Sequence, residues 1–164
     1  MIIRLIVIFV CFLFQSSSFI SIFNISPDFI LIGVVLVVLK NDVVDGIKIG
    51  IFAGLLQDVL SSGTFGIGLF TKTLSGFFAA LLKKQIFSDS LLSKMLIVFL
   101  VVLINGASSL ILMSLFYVKI NIFNELYSIT LPTAVYTSLL LCVLLLLKKI
   151  LINISKKMLW NHKC

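Results

Sequence analysis

Asp58 ends a run of glycines spaced four apart, Gly46, Gly50 and Gly54, in a stretch whose interior charge is Lys48. Residues four apart return to one face of a helix. The spacing therefore lines up positions where a neighbouring helix can approach the backbone closely in lipid, with a carboxylate closing the row. An acid beside hydrocarbon must find a cation, reach the interface or take part in function. The other charged candidates in apolar surroundings are Lys72, Asp28 and Glu125. Lys72 lies roughly 10 Å from the start of its apolar run at the rise of a helix. An ion pair between Asp58 and Lys72, across the turn from Ser61 to Gly66, is geometrically reasonable. The competing reading has each charge snorkel separately to the interface.

Little else carries chemistry. His162 is the single histidine and sits in a basic tail, where it is expected to be solvated. There is no glycine-rich phosphate loop, no nucleophile elbow and no carboxylate pair in a catalytic motif. Catalysis by this chain alone is not expected, and no cofactor is implied. Cys11 and Cys142 lie inside apolar runs and Cys164 is terminal, without a second cysteine or histidine at ligand spacing. They read as small buried hydrophobes, with no disulfide or metal site. The net charge of +7 does not indicate nucleic acid. Its lysines flank apolar runs in small groups and are not interleaved with exposed aromatics.

The elements that position these residues follow from composition. Hydrophobic residues make up 61% of 164, and the mean hydropathy is +1.28, against roughly 45 to 50% apolar in soluble domains. A water-soluble fold of this size has no room to hide that surface. Helical bundles and closed barrels satisfy every backbone hydrogen bond in lipid. Leu96 to Tyr117 and Leu139 to Leu147 lack the period-two alternation of a barrel strand. The fold class expected is all-α, a polytopic bundle of six transmembrane helices forming one integral membrane domain over residues 1–164, with spans at about 2–23, 27–40, 44–60, 65–82, 92–117 and 131–152.

The first span resembles a signal peptide superficially, but it is long, is interrupted by Gln15 and Ser16 to Ser18, and offers no small-residue cleavage site. An uncleaved helix is expected. Ser26, Pro27 and Asp28 form a helix start, with Ser26 as cap, Pro27 in the first turn and Asp28 complementing the dipole. The span from Pro27 to Lys40 is about 21 Å long, short of the ~30 Å hydrocarbon core. A re-entrant hairpin of spans two and three would bury Lys40, Asn41, Asp42, Asp45 and Lys48, so short full crossings are preferred. Asp89 and Ser90 start the fifth span, and Pro132 stands beside the start of the sixth. With both termini in the cytoplasm, Arg4 and almost all lysines fall inside, and Lys119 alone falls outside. The tail from Lys148 to Lys163 reads as a positive stop, or as a basic segment along anionic lipid.

The segments Pro27-Asp28-Phe29-Ile30-Leu31, then Gly46, Gly50 and Gly54-Leu55-Leu56-Gln57-Asp58, and Ser61 to Gly66-Ile67-Gly68 together resemble the core of the MreD family of rod shape-determining membrane proteins. The matched core covers about residues 26–84; elsewhere only hydropathy agrees. The family pattern carries over Pro27, Asp28, Gly50, Gly54, Asp58 and Gly66, as structural or partner-binding positions. Lys72 is not assigned by the motif and rests on its depth alone. The resemblance implies a non-enzymatic scaffold in the bacterial inner membrane, partnering MreC and acting with MreB, RodA and a class B penicillin-binding protein in side-wall peptidoglycan synthesis. It also implies a fold similar to the substrate-binding subunits of energy-coupling-factor transporters. A vitamin-capturing subunit of that kind is the alternative function. Against it, the first span has no alanine for the docking face such subunits carry.

Overall fold

The computed structural model describes residues 2–16, 26–60, 65–86, 90–116 and 121–161, the last as backbone only beyond residue 150. Every element within them is helical: α1 (Ile2–Ser16), α2 (Phe29–Val38), α3 (Val43–Leu60), α4 (Ile67–Gln85), α5 (Leu91–Phe116), a short α6 (Ile122–Glu125) and α7 (Leu131–Asn161). Expectations for Ser17, Ser18, Ser61 to Thr64, Asp89, Lys119, His162 and Cys164 lie outside the described residues. So do those for the side chains of the tail.

α2 is the centre of the bundle. Its sequence, FILIGVVLVV, is apolar all round, and eight of its ten residues are buried. A helix without a polar face is stable only when surrounded, and α1, α3, α4, α5 and α7 all pack on it. The core around it gathers Ile8, Ile49, Ala53, Ala79, Ile97, Val101, Ala134 and Leu141. Large apolar side chains elsewhere face outward, among them Phe14, Phe70, Leu92, Leu115 and Phe123. An apolar core inside an apolar exterior is what lipid as solvent requires. α5 and the α6–α7 helix, Ile122–Lys148, are each long and apolar enough to cross a membrane.

α2 begins later than the sequence predicts. Asp28, not Ser26, is the N-cap, and its side chain accepts the N–H of Leu31 at 2.9 Å. The start is buried within the bundle, so its other donors need partners too. Ile30 N–H reaches Gln15 Oε1 at 3.1 Å, Asp28 N–H reaches Thr137 Oγ1 at 3.2 Å, and Phe29 N–H reaches Pro27 O at 3.2 Å. The polar residue Gln15, which interrupts the first apolar run, thereby closes the end of a neighbouring helix. At the other end of α2, Asn41 Nδ2 donates to Val37 O at 2.6 Å and Lys83 donates to Asn41 O at 3.0 Å.

The loop expected before residue 131 is helical from Ile122 onward and includes a π-turn over Leu126–Thr130. Pro132 has no N–H to donate backward. The N–H of Leu131 just before it bonds Leu126 O, one residue beyond α-helical reach. The widened turn brings Thr130 against α5, where a Cβ on Gly106 would lie 2.1 Å from Thr130 Cγ2.

Candidate functional site

α3 and α4 are antiparallel neighbours in contact through backbone. A Cβ on Gly50 would stand 2.5 Å from Lys72 O, one on Gly54 2.5 Å from the Cα of Leu69, and one on Gly46 2.8 Å from Gly76 O. On α4 the backbone of Gly68, Leu69, Lys72, Thr73 and Gly76 and the side chain of Ala80 meet these glycines. The sequence reading singled out the α3 glycines. It missed their counterpart, although Gly68, Gly76 and Ala80 stand in a four-residue register that Lys72 completes. Small residues on both helices allow the close approach that dispersion requires in lipid. The glycine face is thus occupied by α4 within the chain.

Asp58 closes this interface in a way the sequence reading did not anticipate. It is 6% exposed and takes no part in an ion pair with Lys72. Instead, its Oδ1 accepts the N–H of Gly68 at 2.9 Å, and its Oδ2 accepts those of Gly66 at 2.9 Å and Leu69 at 2.8 Å. Three donors at the start of α4, with the positive end of its dipole, stabilise the carboxylate, in place of either the Lys72 pair or the separate snorkelling that the sequence left open. Gly66 turns the chain into α4 with φ +103°, a left-handed conformation suited to glycine. Its neighbour Gly68 leaves the space the carboxylate fills, since a Cβ there would lie 2.4 Å from Oδ1.

Lys72 is 1% exposed, and its ammonium donates to Oδ2 of Asp28, on the capping residue of α2. The one carboxylate of Asp28 therefore caps its own helix with Oδ1 and holds the cation of another with Oδ2. Burial of either charge alone would be costly, and the pair plus the capping bond answers that cost. Above it, a cavity of about 330 Å³ is lined by Gln15, Asp28, Asn105, Glu125, Thr130 and Thr133 among others. Ser75 Oγ donates to Asn105 Oδ1 at 3.3 Å on its floor. Of the residues predicted as site residues, Pro27, Asp28 and Lys72 meet at this cluster, while Gly50, Gly54, Asp58 and Gly66 belong to the α3–α4 contact.

This arrangement holds charges and joins helices; it contains no nucleophile set beside a base. Among the described residues no group of three or more His, Cys, Asp or Glu could hold a metal ion, and Cys11 and Cys142 are free.

Together these features define an all-α, membrane-associated protein whose buried polar residues fix helix to helix. The family model for rod shape-determining protein MreD matches residues 1–154. The chain belongs to the MreD family, and its role is a non-enzymatic one at the membrane, in the rod (elongation) system that controls cell shape. No curated protein and no solved structure matches the chain. The vitamin-transporter alternative and the accompanying likeness of fold have no support.

Proposed function

We propose that this chain is a multi-pass scaffold of the elongation complex in the bacterial cytoplasmic membrane, crossing six times as one domain with both termini in the cytoplasm. In this reading it binds MreC and, through the complex, acts with MreB, RodA and a class B penicillin-binding protein in side-wall peptidoglycan synthesis. The family match over residues 1–154 is the observation that carries the proposal. Charge supports the orientation. Arg4 pairs with Asp45 and shares cavities with Lys48, Lys40 and Lys148, and Lys83 donates to Asn41 O; these cations gather at one end of the bundle, in keeping with an excess of lysine and arginine in cytoplasmic loops.

Of the structural and partner-binding roles open to Pro27, Asp28, Gly50, Gly54, Asp58, Gly66 and Lys72, this proposal takes the structural one. All seven set the mutual position of α2, α3 and α4, and MreC meets a surface they shape from within. A partner helix seated on Gly50 and Gly54 would have to displace α4. The test is affinity purification of the full chain from mild detergent. Recovery of MreC with cell-wall synthases is expected; recovery of two ATPases and a coupling subunit would overturn the scaffold reading.

A further inference from the structure

At the end of the bundle away from the Asp28 cluster, a second cavity of about 640 Å³ opens between α1, α2 and α7. It is a groove because α1 and α7 both pack on α2, while among their described residues no Cα of one lies within 8 Å of the other. α2 is therefore the floor and the other two helices are the walls. Val7, Leu36, Leu144 and Leu145 make it apolar, and Arg4, Lys40 and Lys148 line its basic end. Arg4 is joined to Asp45 at 2.5 Å. Lys40 and Lys148 are exposed, and among the described residues no carboxylate pairs with either. Even with Asp45 counted, the groove remains net positive.

A slot with apolar walls and unpaired cations at one end fits a molecule with an anionic head and a hydrocarbon tail. We propose that this groove binds an anionic phospholipid, with the phosphate against Lys40, Lys148 and Arg4 and an acyl chain along Val7, Leu36 and Leu144. The volume lies within the roughly 300 to 1,000 Å³ of ligand sites, and basic recesses between membrane helices favour anionic headgroups. Charge complementarity selects the lipid over a neutral one; the apolar slot distinguishes a seated lipid from a diffuse layer drawn to surface lysines.

The test uses the full chain purified in mild detergent, titrated with phosphatidylglycerol or phosphatidylcholine and followed by native mass spectrometry and thermal unfolding. Phosphatidylglycerol should be retained and should raise the melting temperature, and phosphatidylcholine should do neither. The double variant Lys40→Gln/Lys148→Gln should weaken retention on the order of tenfold. Lys84→Gln/Lys94→Gln, which removes equal charge from the same end outside the groove, should leave it unchanged. Leu144→Trp, which fills the slot and keeps the cations, should also weaken it. Glycerol 3-phosphate, a head without tails, should not compete. Equal binding of the two lipids, equal loss in the two lysine pairs, or full retention by Leu144→Trp would each overturn the proposal. So would a groove that shows no lipid preference while Lys40→Gln/Lys148→Gln loses a protein partner.

Discussion

Lys72 of α4 gives its charge to Asp28 at the start of α2, although Asp58 is nearer in the chain and faces α4 as well. Both charges of the pair are withdrawn from solvent, Lys72 to 1% and Asp28 to 17% exposure of the side chain. Removing one partner of a buried pair costs about 3 to 5 kcal/mol because the other charge is stranded. Lys72→Met and Asp28→Asn should therefore each lower thermal stability in detergent sharply, the second at least as much, since an amide whose oxygen caps Leu31 turns its N–H₂ toward the buried Lys72 ammonium. The double variant should lose less than the sum, with a coupling of about 0.5 to 3 kcal/mol. Additive losses would mean that the pair contributes nothing.

Asp58 makes a separate prediction. Both its oxygens are filled by backbone donors, so Asp58→Asn turns an amide N–H₂ toward N–H groups and leaves at least one buried donor unpaired. The expected loss is about 1 to 3 kcal/mol. Combined with Lys72→Met the effects should add, in contrast to the Asp28 pair. Coupling between positions 58 and 72 in thermal unfolding would contradict the separate partners of Asp58 and Lys72.

The glycine contacts are backbone to backbone and have little room to yield. Gly50→Ala and Gly54→Ala each place a Cβ 2.5 Å from α4 backbone atoms, whereas Gly33→Ala meets only the Cys11 side chain, at 3.1 Å. Folded yield after detergent extraction should fall for the first two and change little for the third, and failure to complement rod shape should follow the same order. Equal yields for the three variants would refute an intimate α3–α4 contact.

The α3 glycine row and Asp58 were legible because helical periodicity within one segment is enough to align them. Their partners were not. Lys72 and Asp28 are separated by 44 positions, and only the burial of α2 at the centre of the bundle brings them together. The turn from Ser61 to Gly66 made Asp58 the natural choice, but sequence proximity does not show that the first N–H groups of α4 already claim that carboxylate. The apolar character of α5 (Leu91–Phe116) is legible without tertiary information because its run is uninterrupted. The helix through Ile122 to Thr130 is not legible because Asn121, Asn124 and Pro132 are loop-forming residues by local preference, and the contact of the π-turn with α5 at Gly106 is tertiary. Gln15 interrupts a span, and an amide in lipid seeks a partner on another helix; that the partner is the N–H of Ile30 is a tertiary fact.

The orientation of the bundle yields the last prediction. If the arginine and lysine bias sets topology, the α2–α3 connection at Asp42 is cytoplasmic and the α6 turn at Asn124 is extracytoplasmic. Asp42 and Asn124 are both exposed, so a cysteine at either is open to reagent without unfolding. In a background from which Cys11, Cys142 and Cys164 have been removed, a membrane-impermeant maleimide applied to intact spheroplasts should label Asn124→Cys and spare Asp42→Cys until the membrane is permeabilised. Labelling of Asp42→Cys from outside would reverse the orientation. Labelling of both from one side would place the α2–α3 and α6 ends on the same face and rule out the six-span arrangement.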